Sequence, residues 1–168
     1  MRLRPAILCL LVAPFLAQCA GGGLSVGDLF GGLPSGGAPA HKVSTNTGDA
    51  KAAAALVSQY RLSKGLSPVI ADATLNRAAE VQARAVAEAG ALSHGQFASR
   101  MSSFGINGYS AENLVAGSKT VEQAMVRWKA SPGHNQNLLM PQARRVGMAY
   151  AKSPGAGYEH YWAMVLAQ

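Results

Sequence analysis

Two histidines and one glutamate are the residues of this 168-residue chain that could do chemistry together. His94 directly follows a predicted helix, Glu112 lies in an apolar extended stretch, and His134 comes just after the start of another predicted helix. A buried carboxylate without a partner costs several kcal/mol, which facing imidazoles or a bound cation would offset. The three side chains are therefore predicted to share one site, although a lone histidine at such a junction is also often a structural hydrogen-bonding residue.

Two imidazoles and a carboxylate can hold a divalent cation such as Zn²⁺ and leave one position open for water or substrate. In such a site Glu112 would be the general base, with His134 and His94 as ligands, and the reaction would be metal-assisted hydrolysis of peptide or cell-wall bonds. No His-Glu-x-x-His helix places two ligands on one face, however, and these residues lie 18 and 22 positions apart. The spacing permits a metal site without requiring one.

The setting of His134 favours the neutral form of its side chain. Ser131 is a good N-cap, Pro132 suits the first helical position, and His134 then comes third. The positive end of the helix dipole disfavours an imidazolium there. A neutral imidazole is the form that binds a metal or accepts a proton.

Periodicity and capping residues predict the helices that must position this site. The predicted helices cover residues 49–64 with Asp49 as N-cap and Gly65 as stop, residues 72–90 with Asp72 as N-cap, a short segment containing Phe97 and Met101, residues 120–129 with Thr120 as N-cap, and a segment beginning at Ser131. The predicted buried stripes are Ala53, Leu56 and Tyr60 on the first helix, Leu75, Ala79, Gln82 and Val86 on the second, and Val121, Ala124, Met125 and Trp128 on the fourth.

Three extended segments complete the predicted fold. They cover residues 109–115, which carry Glu112, and two strands at 144–151 and 158–167 that are joined by a Gly- and Pro-containing turn. His160 is interpreted as a hydrogen-bonded sheet residue on the face of Trp162. Arg100 is interpreted as structural, paired with a carboxylate or with backbone carbonyls.

The N-terminal segment has the pattern of an export signal, predicted at residues 1–18. It begins with Arg2 and Arg4 and continues with an apolar run that is too short for a permanent membrane span. Leu16-Ala17-Gln18-Cys19 resembles a bacterial lipobox, although Gln18 departs from the usual small residue. Cys19 is therefore predicted to be the site of lipid attachment, which would make the chain a membrane-anchored lipoprotein of the periplasm or outer membrane, with secretion as the alternative.

A Gly-, Ser-, Pro- and Ala-rich stretch at residues 19–48 is predicted to be a flexible tether, in which His41 is a bystander. Removal of the signal would leave 13 basic and 8 acidic residues, a net charge of +5. These charges are scattered, so no nucleic-acid partner is expected. Since Cys9 lies within the signal, the mature chain has no pair of cysteines for an internal disulfide.

Three runs carry a resemblance to a known family. They are Leu92-Ser93-His94 with Arg100 behind it, Ala111-Glu112-Asn113-Leu114, and Trp128 to His134 followed by Val146-Gly147. In this order and spacing they resemble the SCP domain of the CAP superfamily (cysteine-rich secretory proteins, antigen 5 and pathogenesis-related proteins) in its compact bacterial form. The resemblance begins near Leu56 and implies an α+β fold over residues 49–168, an α/β/α sandwich with a mainly antiparallel central sheet.

The resemblance places His94, Glu112 and His134 on three of the four cleft residues of the family. The fourth, a second glutamate a few residues after the tryptophan, is replaced here by the run Lys129-Ala130-Ser131. Relatives also often carry Asn-x-x-Arg on the first helix, where this chain has Ser58 and Arg61. The resemblance implies a monomeric cell-envelope protein whose cleft binds a lipid or peptide ligand without turnover, with a metal-assisted hydrolase and a non-catalytic adhesion module as alternatives.

Overall fold

A five-stranded sheet with helices on both faces is the framework of the computed structural model, which describes residues 44–47, 50–155 and 157–168. In this part of the chain the helices are α1 Ala50–Leu62, α2 Ala73–Ala89, α3 Phe97–Ser103, α4 Val121–Ala130 and α5 Pro132–Leu138. The strands are β1 Ser44–Asn46, β2 Ile70–Ala71, β3 Ser110–Ala116, β4 Arg145–Lys152 and β5 His160–Ala167. The predicted α+β class is confirmed.

The sheet is mainly antiparallel, with strand order β1-β4-β5-β3. Strand β4 pairs antiparallel with β5 along its whole length, and β5 pairs antiparallel with β3. Both short strands lie on the other edge of β4, where β1 is antiparallel and β2 is parallel. Between them the Met148 amide donates to Asn76 Oδ1 at 3.0 Å, so a side chain of α2 continues the pairing.

Alternation along the strands divides the core into two layers. On β5, Trp162, Met164 and Leu166 pack with α1, α4 and α5, whereas Tyr161, Ala163 and Val165 pack with α2 and α3. The predicted sandwich of two helical layers around a sheet is therefore confirmed. His160 is the first residue of β5 and is half-buried, with its ring centroid 6.3 Å from that of Tyr150, as expected of a sheet residue.

Helix α2 lies directly against β4 because Gly147 has no side chain. A Cβ placed on Gly147 would be 2.1 Å from the backbone carbonyl carbon of Leu75 and 2.3 Å from the Asn76 nitrogen. Glycine is therefore required here by the close approach of helix and strand. This contact sets the position of α2, whose C-terminal end leads into the loop that carries His94.

The capping predictions mostly agree with the structure. Asp72 accepts from the Leu75 amide at 2.8 Å, Gly90 ends α2 with φ +65°, and Thr120 accepts from the Gln123 amide at 3.3 Å. Ser131 occupies the N-cap position of α5, but its side chain makes no capping hydrogen bond. Every residue of the predicted stripes on α2 and α4 is buried, and Trp128 is a core residue.

The predicted stripe of α1 is wrong in part. Leu56 and Tyr60 are only partly buried, while the fully buried positions include Val57 and Arg61. The helix turns this face inward because backbone carbonyls surround the Arg61 guanidinium and satisfy it. A charged residue can then be buried without a carboxylate beside it.

The outer edge of β3 is covered by side chains of the helices that follow it. The carbonyl of Glu112 accepts from Asn137 Nδ2 at 3.1 Å, that of Leu114 accepts from Trp128 Nε1 at 3.1 Å, and that of Ala116 accepts from Arg127. Three outward carbonyls of this edge are thus hydrogen-bonded, which hinders pairing with another chain. The same bonds fix the position of Glu112 relative to α4 and α5.

The described domain begins earlier than predicted, because residues 44–46, assigned to the tether, form β1 against β4. Thr45 Oγ1 donates to Glu80 of α2 and accepts from Arg84 at 3.2 Å, which attaches this strand to the domain. The predictions for the signal at 1–18, for Cys9, Cys19 and His41, for the rest of the tether and for the Asp49 N-cap lie outside the described residues. No helix in the described ranges has the length and apolar character needed to cross a membrane.

Candidate functional site

The Glu112 carboxylate is buried in the middle of the candidate site. Glu112 lies on β3 and is 4% exposed. Its Oε1 is 2.8 Å from His94 Nδ1, and its Oε2 accepts from Arg100. Burial raises the pKa of this carboxyl, while the hydrogen bond from His94 and the charge of Arg100 act in the opposite direction. The buried Glu112 carboxylate is therefore partnered by two groups, the imidazole of His94 and the guanidinium of Arg100.

Arg100 of α3 is held from several sides. Besides Glu112, its guanidinium donates to Gln82 Oε1 on α2 and to the His94 carbonyl at 3.4 Å. The guanidinium carbon also lies 5.6 Å from the centre of the Phe97 ring. The interpretation of Arg100 as paired with a carboxylate and a carbonyl agrees with the structure, and the carboxylate is the one proposed for the site.

His94 presents its ring to solvent in a fixed orientation. Its side chain is 58% exposed, whereas that of Glu112 is 1% exposed. The loop before it is tied to α2, because Gln82 Nε2 donates to the Ser93 carbonyl. When His94 Nδ1 donates to Glu112, the other ring nitrogen, Nε2, is left as an outward-facing acceptor. His94 can thus offer one hydrogen-bonding position to a bound molecule.

His134 is brought to the same region by two asparagines. Asn113, fully buried beside Glu112, donates from Nδ2 to the His134 carbonyl at 3.0 Å. Asn137 donates to Asn113 Oδ1 at 2.9 Å and to the Glu112 carbonyl. Asn113 thus bonds to backbone from within strand β3. The pKa of the half-buried His134 is lowered by burial and by the charge of the nearby His94.

The lowered pKa of His134 predicts a specific pH dependence of stability. Because the unfolded chain binds a proton to this histidine more readily than the folded chain, the stabilisation is complete above the usual histidine pKa and falls as pH decreases below it. Between about pH 7.5 and about pH 5, the free energy of unfolding of the wild type should decrease more than that of His134→Gln. Urea unfolding at several pH values measures this difference, and parallel pH profiles for the two proteins would contradict it.

The residues present do not fit the metal site considered from sequence. In the described part of the chain, no group of three or more His, Cys, Asp or Glu side chains is placed to hold a metal ion. The reason is visible at Glu112, since both carboxylate oxygens already bind protein donors, one of them the cation Arg100. His94 and Glu112 are therefore joined by a hydrogen bond, and the backbone of His134 is held nearby through Asn113, without a three-ligand arrangement.

A groove of about 380 Å³ lies between α1 and α4, and none of the three cluster residues lines it. Apolar residues that line it include Leu56, Met125 and Val126. Tyr60 also lines it, and its hydroxyl donates to Asn135 Oδ1 of α5 at 2.7 Å, next to His134. Tyr60 thus links the groove to α5, the helix that also carries His134.

Sequence reasoning missed Gln82 and Asn137 as parts of the site. Gln82 was expected in the apolar stripe of α2, where a polar side chain is itself a signal that a buried partner must exist. Asn137 comes three residues after His134, so it lies on the same side of a helix. Neither signal identifies the partner, because the partners are distant along the chain.

The α/β/α sandwich and the residues of this cluster are those expected of an SCP domain, and comparison with known proteins shows the same family. The chain belongs to the CAP family, described as the cysteine-rich secretory protein family, whose model matches residues 54–166. It is 32% identical over 104 residues to the uncharacterized protein YkwD of Bacillus subtilis (strain 168), which covers 58% of this chain and 40% of that relative. The chain therefore matches less than half of the length of that curated relative.

Two solved structures are similar in fold. An outer surface protein from Borrelia burgdorferi superposes with a TM-score of 0.63 at 19% identity, covering 71% of this chain and 92% of that one. An extracellular protein containing an SCP domain from Bacillus anthracis gives a TM-score of 0.62 at 19% identity, covering 72% and 40%. At this level of identity the likeness shows the fold.

Proposed function

We propose that this CAP-domain protein is exported and binds a lipid or peptide ligand at the cluster of His94, Glu112 and His134 without chemical turnover. The observation that carries the proposal is the buried Glu112 carboxylate, held by Arg100 and oriented toward an exposed imidazole. Burial of such a carboxylate costs free energy. Arg100 and Gln82 fix this arrangement with further hydrogen bonds, which supports a role in recognition at the surface.

The exposed ring of His94 and the nearby half-buried His134 support a ligand that has a polar part. His94 Nε2 and His134 would hydrogen-bond this polar part, whereas the apolar groove between α1 and α4 is linked to α5 only through the described hydrogen bond from Tyr60 to Asn135. The metal-assisted hydrolase alternative needs a cation held by these residues, whereas both oxygens of the Glu112 carboxylate already bind protein donors. The hydrolase alternative gains no support from this arrangement.

Native mass spectrometry of the full chain purified from cell envelopes tests ligand binding. The wild type should carry an added mass that Glu112→Gln loses by about tenfold or more, since the variant keeps the side-chain volume but not the charge-assisted bonds. Glu88→Gln, on the exposed face of α2, is the matched control and should retain the ligand. Extraction into organic solvent identifies a lipid, and recovery in aqueous acid identifies a peptide; equal occupancy in all three proteins would refute the proposal.

Export and anchoring are proposed from the N-terminal pattern and from the relatives. The solved relatives are named as an outer surface protein and an extracellular protein. Acylation of Cys19 would place the domain on a membrane of the periplasm or outer membrane, because two or more acyl chains give stable anchoring.

Cys19→Ala is expected to move the protein from the membrane fraction to the soluble fraction, since acylation needs the thiol. Fractionation followed by immunodetection measures the distribution. An unchanged distribution would show that Cys19 is not the anchor.

A further inference from the structure

The Arg100 guanidinium lies where a bound cation would otherwise neutralise Glu112. It donates to Glu112 Oε2, and the other carboxylate oxygen, Oε1, is 2.8 Å from His94 Nδ1. A carboxylate that receives one arginine and one imidazole has both oxygens occupied. The charge that a divalent ion would supply is already provided by the protein.

Arg100 is also anchored, so that it cannot easily move aside. Its side chain is 10% exposed and bonds to three acceptors: Glu112, Gln82 Oε1 and the His94 carbonyl. These acceptors belong to β3, to α2 and to the loop between α2 and α3. Displacing the guanidinium would remove its hydrogen bonds to Glu112 Oε2 and Gln82 Oε1 in a partly buried setting, which is unfavourable.

The gap between His94 and Glu112 is too small for a bridging ion. Zn²⁺ bonds to nitrogen and oxygen at about 2.0–2.2 Å with tetrahedral angles, which separates two ligand atoms by roughly 3.3 Å. The observed Nδ1···Oε1 distance is 2.8 Å, that of a direct hydrogen bond. An ion could enter only if the two side chains moved apart while Arg100 stayed within contact of the same carboxylate.

We propose that Arg100 is the resident cation of this cleft and that it excludes divalent metal ions from the Glu112 carboxylate. The cleft then works without a metal, as a hydrogen-bonding surface organised by an arginine. The inference goes beyond the proposed function, which is silent on the cation, and it holds whichever ligand the cleft binds. Removing the guanidinium should therefore create a cation site that the wild type lacks.

Titration of the full chain with Zn²⁺ alone by calorimetry, and with Co²⁺ alone by visible absorption, tests this inference. The wild type should show no binding that depends on Glu112. Arg100→Met should bind one ion at least about 100-fold more tightly, because the like charge beside the site is gone. Adding His94→Ala to that variant should abolish the gain.

Arg100→Lys is the matched control, because it keeps a positive charge at the same place and should continue to exclude the ion. Circular dichroism verifies the fold of each variant, and Arg100→Gln replaces Arg100→Met if the methionine variant does not fold. One equivalent of Zn²⁺ bound by the wild type and lost in Glu112→Gln would overturn the inference. The inference would also be overturned if Arg100→Met and Arg100→Gln both fold and neither shows Co²⁺ absorption beyond that of the wild type.

Discussion

Gly147→Ala is expected to leave no cooperatively folded protein at room temperature. The added Cβ would lie 2.1 Å from the Leu75 carbonyl carbon and 2.3 Å from the Asn76 nitrogen, and both are backbone atoms that no rotamer change can move. Relief would require α2 to shift away from β4, which would break the bond from the Met148 amide to Asn76 and open the core around Leu75. We expect a loss above about 4 kcal/mol, comparable with the whole stability of a small domain.

Urea denaturation followed by circular dichroism measures this loss. Gly133→Ala is the matched control, because no atom lies within 4 Å of the position that its added Cβ would take and the residue is in α5. That substitution should raise the free energy of unfolding by about 0.5–1 kcal/mol through helix propensity. A cooperative transition for Gly147→Ala within about 1 kcal/mol of the wild type would show that α2 does not lie against β4 as described.

Arg61→Met is expected to destabilise the domain by about 3–5 kcal/mol, the range for removal of one partner from a buried charged network. Arg61 is fully buried, and its guanidinium donates to four backbone carbonyls, those of Ser67, Leu138, Met140 and Ala143. Burial, and then the charge of Arg144, lower the pKa of Arg61. Methionine fills much of the volume but removes a donor from all four carbonyls, of which those of Met140 and Ala143 keep bonds from the Ala143 amide and from Arg144.

The loss should be visible as a lower urea midpoint with an unchanged slope. Arg77→Met, at an exposed position of α2, removes the same charge and should stay within about 0.5 kcal/mol of the wild type. Equal effects of the two substitutions would mean that the buried hydrogen bonds of Arg61 contribute little. A decrease in the free energy of unfolding of less than about 1 kcal/mol for Arg61→Met would also mean that these buried hydrogen bonds contribute little.

Residues close together in the sequence predicted the helices and strands of this fold. Contacts between residues far apart in the sequence determine which side chains are buried and where the helices pack. Asp72 and Gly90 marked α2 within a residue, because capping depends on neighbours in sequence. The burial of Arg61 could not be predicted this way, since three of its acceptors lie more than 70 positions away. The need for Gly147 is equally non-local, because it comes from Leu75 across the layer.

The candidate site shows the same division. His94, Glu112 and His134 were selected by residue type and by family resemblance; the structure joins His94 to Glu112 by a hydrogen bond and holds the His134 backbone nearby through Asn113. Arg100 was seen as a structural partner for an unspecified carboxylate, and only the fold assigns that carboxylate to the site. Two histidines and a glutamate suggested a metal site from sequence. In the structure, Arg100 and His94 donate to the Glu112 carboxylate, so the arginine neutralises its charge.

Histidine-selective NMR of isotope-labelled protein tests the central claim that these residues form one binding cleft. On addition of the envelope fraction that native mass spectrometry finds bound, the imidazole signals of His94 and His134 should shift together along one binding curve. The signal of His160, on another part of the sheet, should stay unchanged. Binding of that fraction with both His94 and His134 signals unmoved would contradict the account.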